Sequence, residues 1–216
     1  MKTDKQIQED VMRELEWDPE IIDATDIGVA VEDGIVTLSG QVGSYWEKVA
    51  AEKAAKRVKG VTGIAQEIVV KYAGTPRTDA DIADAAVGSI KWNTTVPDEK
   101  VTVKVEDGWV TLEGEVEWEY QRNAARNAVE KIKGVKGVSN LVTVKPRVQA
   151  SIVKSTIKQA LERAADIEAD RIEVETEGNK VILRGKVRTW SERDEVQRAA
   201  WSAPGVYSVD NRLVIA

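Results

Sequence analysis

One seven-residue pattern occurs three times in this chain. It reads Val36-Thr37-Leu38-Ser39-Gly40-Gln41-Val42, then Val110-Thr111-Leu112-Glu113-Gly114-Glu115-Val116, then Val181-Ile182-Leu183-Arg184-Gly185-Lys186-Val187. Successive copies begin 74 and 71 residues apart. A fixed period means that one structural unit has been copied. The 216 residues therefore divide into three units instead of one large core. Units of about 70 residues bury only about 60% of the surface of their unfolded chains, so each is marginal alone. Contacts between units are expected, and a copied unit offers repeated surface more readily than a single catalytic cleft.

The elements around the repeat can be read from periodicity. Each copy opens with an i, i+4, i+8 apolar stripe: Ile7, Val11, Leu15; Ile82, Ala86, Ile90; Val153, Ile157, Leu161. That spacing predicts one face of a helix. Pro19 and Pro97 are expected to end the helical region in two copies. Alternating residues such as Ile27, Val29 and Val31 predict a strand. Asp33-Gly34, Asp107-Gly108 and Gly178-Asn179 then predict a tight turn into the repeated strand. A second helix follows, with Ala51, Ala54, Ala55, Val58 and their counterparts at i, i+3, i+4, i+7. Ser44-x-x-Glu47 and Thr189-x-x-Glu192 read as capping boxes at its start. A last strand closes each copy, and Pro76 and Pro146 mark short linkers. The expected fold class is α+β: three tandem αββαβ units over 1–73, 78–146 and 148–216, each a three-stranded mixed sheet packed against two helices.

Glycine at Gly40, Gly114 and Gly185 lies inside a strand, where it marks a bulge or a close backbone approach. The approaching group is expected to be a helix packed hard on the sheet; a ligand lying on bare backbone is the alternative. Gly60, Gly134 and Gly205 follow the second helix and read as helix C-caps. Gly60-x-x-Gly63 and Gly134-x-x-Gly137 also match the loop with which some RNA-binding domains clamp a backbone. That loop joins two helices, whereas this one joins a helix to a strand.

Composition removes several kinds of chemistry. The chain has no Cys and no His, so disulfides, thiolate chemistry and the usual zinc, iron and copper ligand sets are absent. No metal, cofactor or enzymatic activity is expected. Net charge is −6, made up of −5 in residues 1–73, −1 in 74–147 and zero in 148–216. No unit is basic, which argues against nucleic acid as a partner and against purely electrostatic docking on anionic lipid. Glu113, Glu115, Glu117 and Glu119 read as a solvated acidic face. No stretch approaches the ~18 apolar residues of a membrane span. The compartment is read as cytoplasmic if Met1 is the native start, and as periplasmic if an export signal was removed.

The aromatic set is unusual: seven Trp, four Tyr and no Phe. Such rings suit boundaries between apolar and wet surroundings. Tyr45, Trp46, Trp118, Tyr120 and Trp190 all fall at the start of the second helix. They are candidates for insertion among lipid headgroups; the alternative is that they join helix to sheet or unit to unit. Trp17 and Trp92 end the first helix and are expected to pack locally. Ile35 and Trp109 lie on the sheet face that the helices leave open. They are candidates for contact with a neighbouring unit or another protein.

The order of elements, the V-x-L-x-G-x-V strand, and the later Lys59-Gly60-Val61-Thr62-Gly63-Ile64 and Lys133-Gly134-Val135-Lys136-Gly137-Val138 resemble the bacterial BON domain family. Pro204-Gly205-Val206-Tyr207-Ser208-Val209 is a looser third copy of that second motif. The resemblance implies a non-enzymatic module that associates with phospholipid membrane surfaces, in envelope or osmotic-stress protection. It carries over no catalytic residue. The implied partner is a phospholipid surface or another envelope protein, and a protein-interaction scaffold using the open sheet faces is the alternative. The oligomeric state stays open.

Overall fold

The computed structural model describes residues 2–72, 74–145, 157–161, 171–203 and 206–215. Val153 and Gly205 lie outside the described residues. Three α+β units follow one another. The first contains α1 (Asp4–Trp17), β1 (Ile27–Glu32), β2 (Ile35–Val42), α2 (Tyr45–Arg57) and β3 (Gly63–Val70). The second contains α3 (Asp79–Trp92), β4 (Val101–Glu106), β5 (Trp109–Val116), α4 (Glu119–Glu130), β6 (Gly137–Asn140) and β7 (Thr143–Val144). The third contains α5 (157–161), β8 (Ile172–Glu177), β9 (Lys180–Val187), α6 (Trp190–Trp201) and β10 (Ser208–Ile215). Short 3-10 turns precede β1 and β4.

The repeated strand is the middle of each sheet. β2 pairs antiparallel with β1 and parallel with β3, and β9 does the same with β8 and β10. β5 pairs antiparallel with β4 and parallel with both β6 and β7. β6 and β7 keep one register and are separated at Leu141 and Val142, where Val142 donates its N–H to Asn140 Oδ1 at 3.3 Å. Val36, Leu38 and Val42 and their counterparts face the helices and are buried, together with Ile7, Val11 and Leu15 of α1. Ala51, Ala54 and Ala55 are buried on α2, where small side chains let the helix lie close to the sheet.

The interior glycines answer to backbone, not to a helix. Gly40, Gly114 and Gly185 have φ of 112°, 141° and 129°. They sit opposite Ile27, Val101 and Ile172 at the start of the first strand. An added Cβ would collide with the carbonyl oxygen of Asp26, Lys100 or Arg171 respectively. The expected helix contact is therefore replaced by a carbonyl of the neighbouring chain segment. Only glycine accepts that φ at no steric cost.

The hairpin turns are held from outside. Asp33 and Gly34 have φ of 50° and 77°, and Asp107 and Gly108 have 51° and 80°, as a type I′ turn requires. The Asp4 carboxylate accepts both Asp33 N–H and Gly34 N–H at 3.0 Å. Asp79 accepts those of Asp107 and Gly108 at 2.8 Å. The first turn of the first helix thus clamps the hairpin. Pro97 does not end α3: the helix stops at Trp92 with Asn93 as its cap, and Pro97 begins the 3-10 turn.

The starts of the second helices also depart from the simple box. Ser44 Oγ accepts Glu47 N–H at 3.1 Å and Thr189 Oγ1 accepts Glu192 N–H at 3.0 Å. The Glu47 carboxylate, however, reaches one residue further back, accepting Gly43 N–H at 3.1 Å and also Ile22 N–H at 2.9 Å. It is buried while doing so. In the second unit Gln121 Oε1 accepts Glu117 N–H and Trp118 N–H.

Candidate functional site: a ring of three second helices

The second helices meet end to end. At the C-terminal end of α2, Lys56 Nζ lies 5.8 Å from the Trp190 ring centroid and 3.8 Å from Asp194 on α6. At the C-terminal end of α6, Trp201 packs on the core of the second unit and lies 5.9 Å from the guanidinium of Arg122 on α4. Just past the C-terminal end of α4, Lys131 Nζ lies 3.8 Å from the Trp46 ring centroid on α2. The order α2 to α6 to α4 to α2 closes a ring. Each contact joins the tail of one helix to the head of the next, a heterologous interface that closes on itself.

The first residue of each second helix sits at a seam of this ring. Tyr45 packs against the core of the second unit and Trp190 against the core of the first. The repeat places Glu119 at the same position in α4. Glu119 is buried, 8% exposed. Its Oε2 lies 3.3 Å from Arg122 Nη1 but without hydrogen-bond geometry. Burial pushes its carboxyl above the ordinary 4.5, against the pull of Arg122 and Asn123.

Inside the ring lies a cleft of about 1050 Å³, bounded by α2, α4, α6 and the aromatics Trp118 and Tyr120. Its lining repeats with the sequence. Lys53, Asn127 and Arg198 occupy one repeat position and all line it; so do Lys56, Glu130 and Trp201 at the next turn. Glu130 is buried and paired with Arg126.

The sequence candidates take different places around this ring. Tyr45, Trp46, Trp118 and Trp190 are half-buried, while Tyr120 is exposed. Trp118 and Tyr120 stack, with centroids 6.3 Å apart. Ile35 and Trp109 are 49% and 51% exposed on the open sheet faces. The Trp109 ring lies over Gly137, and its indole N–H donates to Ser139 Oγ at 2.8 Å. Gly60 and Gly134 hold positive φ after the second helix, each against an isoleucine of the first helix. The acidic row is not uniformly solvated: Glu115 pairs with Lys145, Glu117 with Lys100 at 3.6 Å, and Glu119 is buried.

Two residues depart from local packing. Trp17 and Trp92 are 84% and 88% exposed at equivalent helix ends, and Ile22 is 89% exposed nearby in sequence. Both indoles stand at the last residue of their helix, Trp17 of α1 and Trp92 of α3. The sequence also did not reveal Trp201 as a seam residue. The signal was present in the repeat alignment, since position 201 matches Lys56 and Glu130, neither of them a residue the core would select.

The family model for the BON domain matches residues 3–72, 78–146 and 149–216. The chain belongs to the BON domain family. It is 33% identical over 132 residues to Osmotically-inducible protein Y of Escherichia coli (strain K12), a match that covers 57% of this chain. The same match spans 64% of that relative, less than two thirds of its length. Among solved structures, CdsD, a structural protein of the type III secretion system of Chlamydia trachomatis, aligns over 98% of this chain and 92% of its own at 13% identity. The TM-score of 0.27 is too low to define a common arrangement. Among the described residues, no helix is long and apolar enough to cross a membrane.

Proposed function

We propose that this chain is a non-enzymatic binding module of the bacterial envelope that associates with phospholipid surfaces and serves in osmotic-stress protection. Membership of the BON family and likeness to an osmotically inducible protein support the setting. One observation carries the lipid contact: Trp17 and Trp92, at matching helix ends, stand 84% and 88% exposed. Indole rings favour the headgroup level of a bilayer. The two indoles occupy the same place in the repeated unit, so the first and second units offer the same kind of contact. Tyr120, the exposed member of the aromatic corner, adds to this contact, while Tyr45, Trp46 and Trp190 hold the seams.

With a net charge of −6, the contact is apolar insertion and not ion pairing. Binding is expected on both zwitterionic and anionic vesicles, with little dependence on salt. Burying a large apolar side chain contributes about 1.5–3 kcal/mol, so Trp17→Ala with Trp92→Ala should weaken co-sedimentation at least tenfold. Parent protein that stays in the supernatant removes the function. A double variant that sediments like the parent removes the two tryptophans from it.

A second reading uses the half-exposed Ile35 and Trp109 on the open sheet faces as a protein-contact surface. Light scattering across a hundredfold concentration range, with Ile35→Lys and Trp109→Lys, separates it from the first. It predicts a parent that associates and a variant that does not.

A further inference from the structure

We infer that Ile22 is a further lipid-contact residue of the first unit and that Glu47 positions it. The inference rests on the membrane reading above and adds a side chain to it. Ile22 is 89% exposed, yet its backbone is fixed: its N–H donates to Glu47 Oε1 at 2.9 Å. The same carboxylate accepts Gly43 N–H through Oε2 at 3.1 Å. Glu47 lies in the first turn of α2 and is 4% exposed. Its two hydrogen bonds offset the cost of burying it.

The chain from Trp17 to Ile22 is held against α2 at both ends. Asp18 Oδ2 accepts from Arg57 Nη2 at 2.8 Å, at the last residue of α2, and Ile22 is tied to Glu47 near its start. Between these ties, Asp18 Oδ1 accepts Glu20 N–H at 3.0 Å and Ile21 is buried in the first unit's core. The helix therefore covers one side of this stretch. Side chains as open as Trp17 and Ile22 do not lie on that side. Ile22 stands five residues past Trp17, a reach of at most about 18 Å, so one bilayer surface can meet both. Because the stretch is already ordered, little conformational entropy is lost when Ile22 inserts.

The second unit shows what the same fold does without this device. Asn93 and Val96 repeat the turn of Asp18 and Ile21. Val96 N–H donates to Asn93 O at 3.0 Å, as Ile21 N–H does to Asp18 O at 3.1 Å, and Val96 is buried like Ile21. The next residue is Pro97, which has no N–H to donate. At the repeat position of Glu47 stands Gln121, whose Oε1 accepts Glu117 N–H at 3.0 Å and Trp118 N–H at 3.1 Å. Both bonds serve the start of α4. The carboxylate and the exposed isoleucine occur together in the first unit and are both replaced in the second.

The test is co-sedimentation of the full chain with phosphatidylcholine vesicles. Ile22→Ser changes an exposed side chain, so it should melt like the parent, and it should weaken binding about tenfold. Ile22→Trp should strengthen binding, a direction that a damaged fold does not mimic. Glu47→Gln tests the positioning. Following Gln121, a glutamine here keeps the helix start and releases Ile22 N–H. Hydrogen exchange at the Ile22 amide should then rise and vesicle binding fall, while the melting temperature stays close to the parent's. Glu47→Gln that frees this amide but binds like the parent overturns the positioning role, as does an amide still protected without the carboxylate. Ile22→Ser that binds like a sedimenting parent overturns the contact and leaves the membrane reading standing. A parent that stays in the supernatant overturns both.

Discussion

The seams at Tyr45 and Trp190 and the seam at Glu119 occupy the same place in the ring but are built from opposite chemistry. In the first two, a half-buried aromatic ring packs against the core of a neighbouring unit. Apolar area removed from water stabilises those contacts. In the third, the same repeat position carries a carboxylate that is 8% exposed and lies beside one arginine. Taking a charge out of water costs free energy that a single imperfect ion pair does not return. Two seams suffice to hold three units together. Once they form, the third closes at high effective concentration and tolerates poor chemistry. The ring therefore has two structural seams, closed by the aromatic at the head of the second helix, and one adjustable seam, between the second and third units. There that position is polar, the aromatic contact with the second unit's core comes from Trp201 at the tail of α6, and the cleft opens alongside.

The largest effect should come from a structural seam. Trp190→Ala removes a half-buried indole from the first unit's core and should cost about 2–4 kcal/mol. Denaturant unfolding would measure it, and hydrogen exchange should show α6 losing protection first. An unchanged melt would mean that the ring does not depend on this contact. A smaller effect tests the hairpin clamp. Asp79→Ala removes the acceptor of the exposed Asp107 N–H and the part-buried Gly108 N–H and should cost about 1–2 kcal/mol in the second unit. Below that comes a repair: Glu119→Tyr copies Tyr45 into the adjustable seam and should stabilise by about 1 kcal/mol. Destabilisation instead would show that α4 and α6 have no apolar space between them.

Much of the fold could be read because the repeat let three weak signals reinforce one another. The stripe Ile7, Val11, Leu15 is buried as its spacing predicts, and the Asp-Gly turns adopt the positive φ that they predict. What could not be read depends on tertiary placement. Periodicity shows that Gly40 needs a close neighbour but not that the neighbour is the Asp26 carbonyl. The same limit applies to the site. The corner residues share a repeat position, yet sequence cannot say whether that corner faces lipid or another unit. Trp17 and Trp92 lie two residues past Leu15 and Ile90, about 200° round the helix from the core stripe, but spacing alone does not say whether another element covers that side. Glu119 was hidden by its neighbours: in the run from Glu113 it looks like one more solvated acid. Only the comparison with Tyr45 and Trp190 makes it the odd member.

The smallest and most specific effect is the response of the adjustable seam to pH. Burial raises the Glu119 carboxyl above its ordinary 4.5, so the folded chain holds this proton more tightly than the unfolded chain does. Where the native state binds more protons, stability falls as pH rises. The contribution of Glu119 is therefore fully present below about pH 4.5 and is lost as pH rises through the raised folded value. Asp10, Asp23, Asp81 and Asp210, whose carboxyls are held below their ordinary value, act with the opposite sign and in a lower window. Asp210 is held down to about 2, by its hydrogen bonds to Arg212 and then Lys180, from an ordinary 3.8. Its contribution is present above 3.8 and is lost as pH falls toward 2, a window below that of Glu119. Melting temperature is expected to decline from pH 4.5 toward neutral in the parent, and Glu119→Gln, which cannot ionise, should flatten that decline. Tyr45→Phe, at the equivalent position of a structural seam, should leave it unchanged. A parent whose melting temperature stays level across this window, or a Glu119→Gln profile parallel to the parent's, would mean that the polar seam is as permanently closed as the aromatic ones.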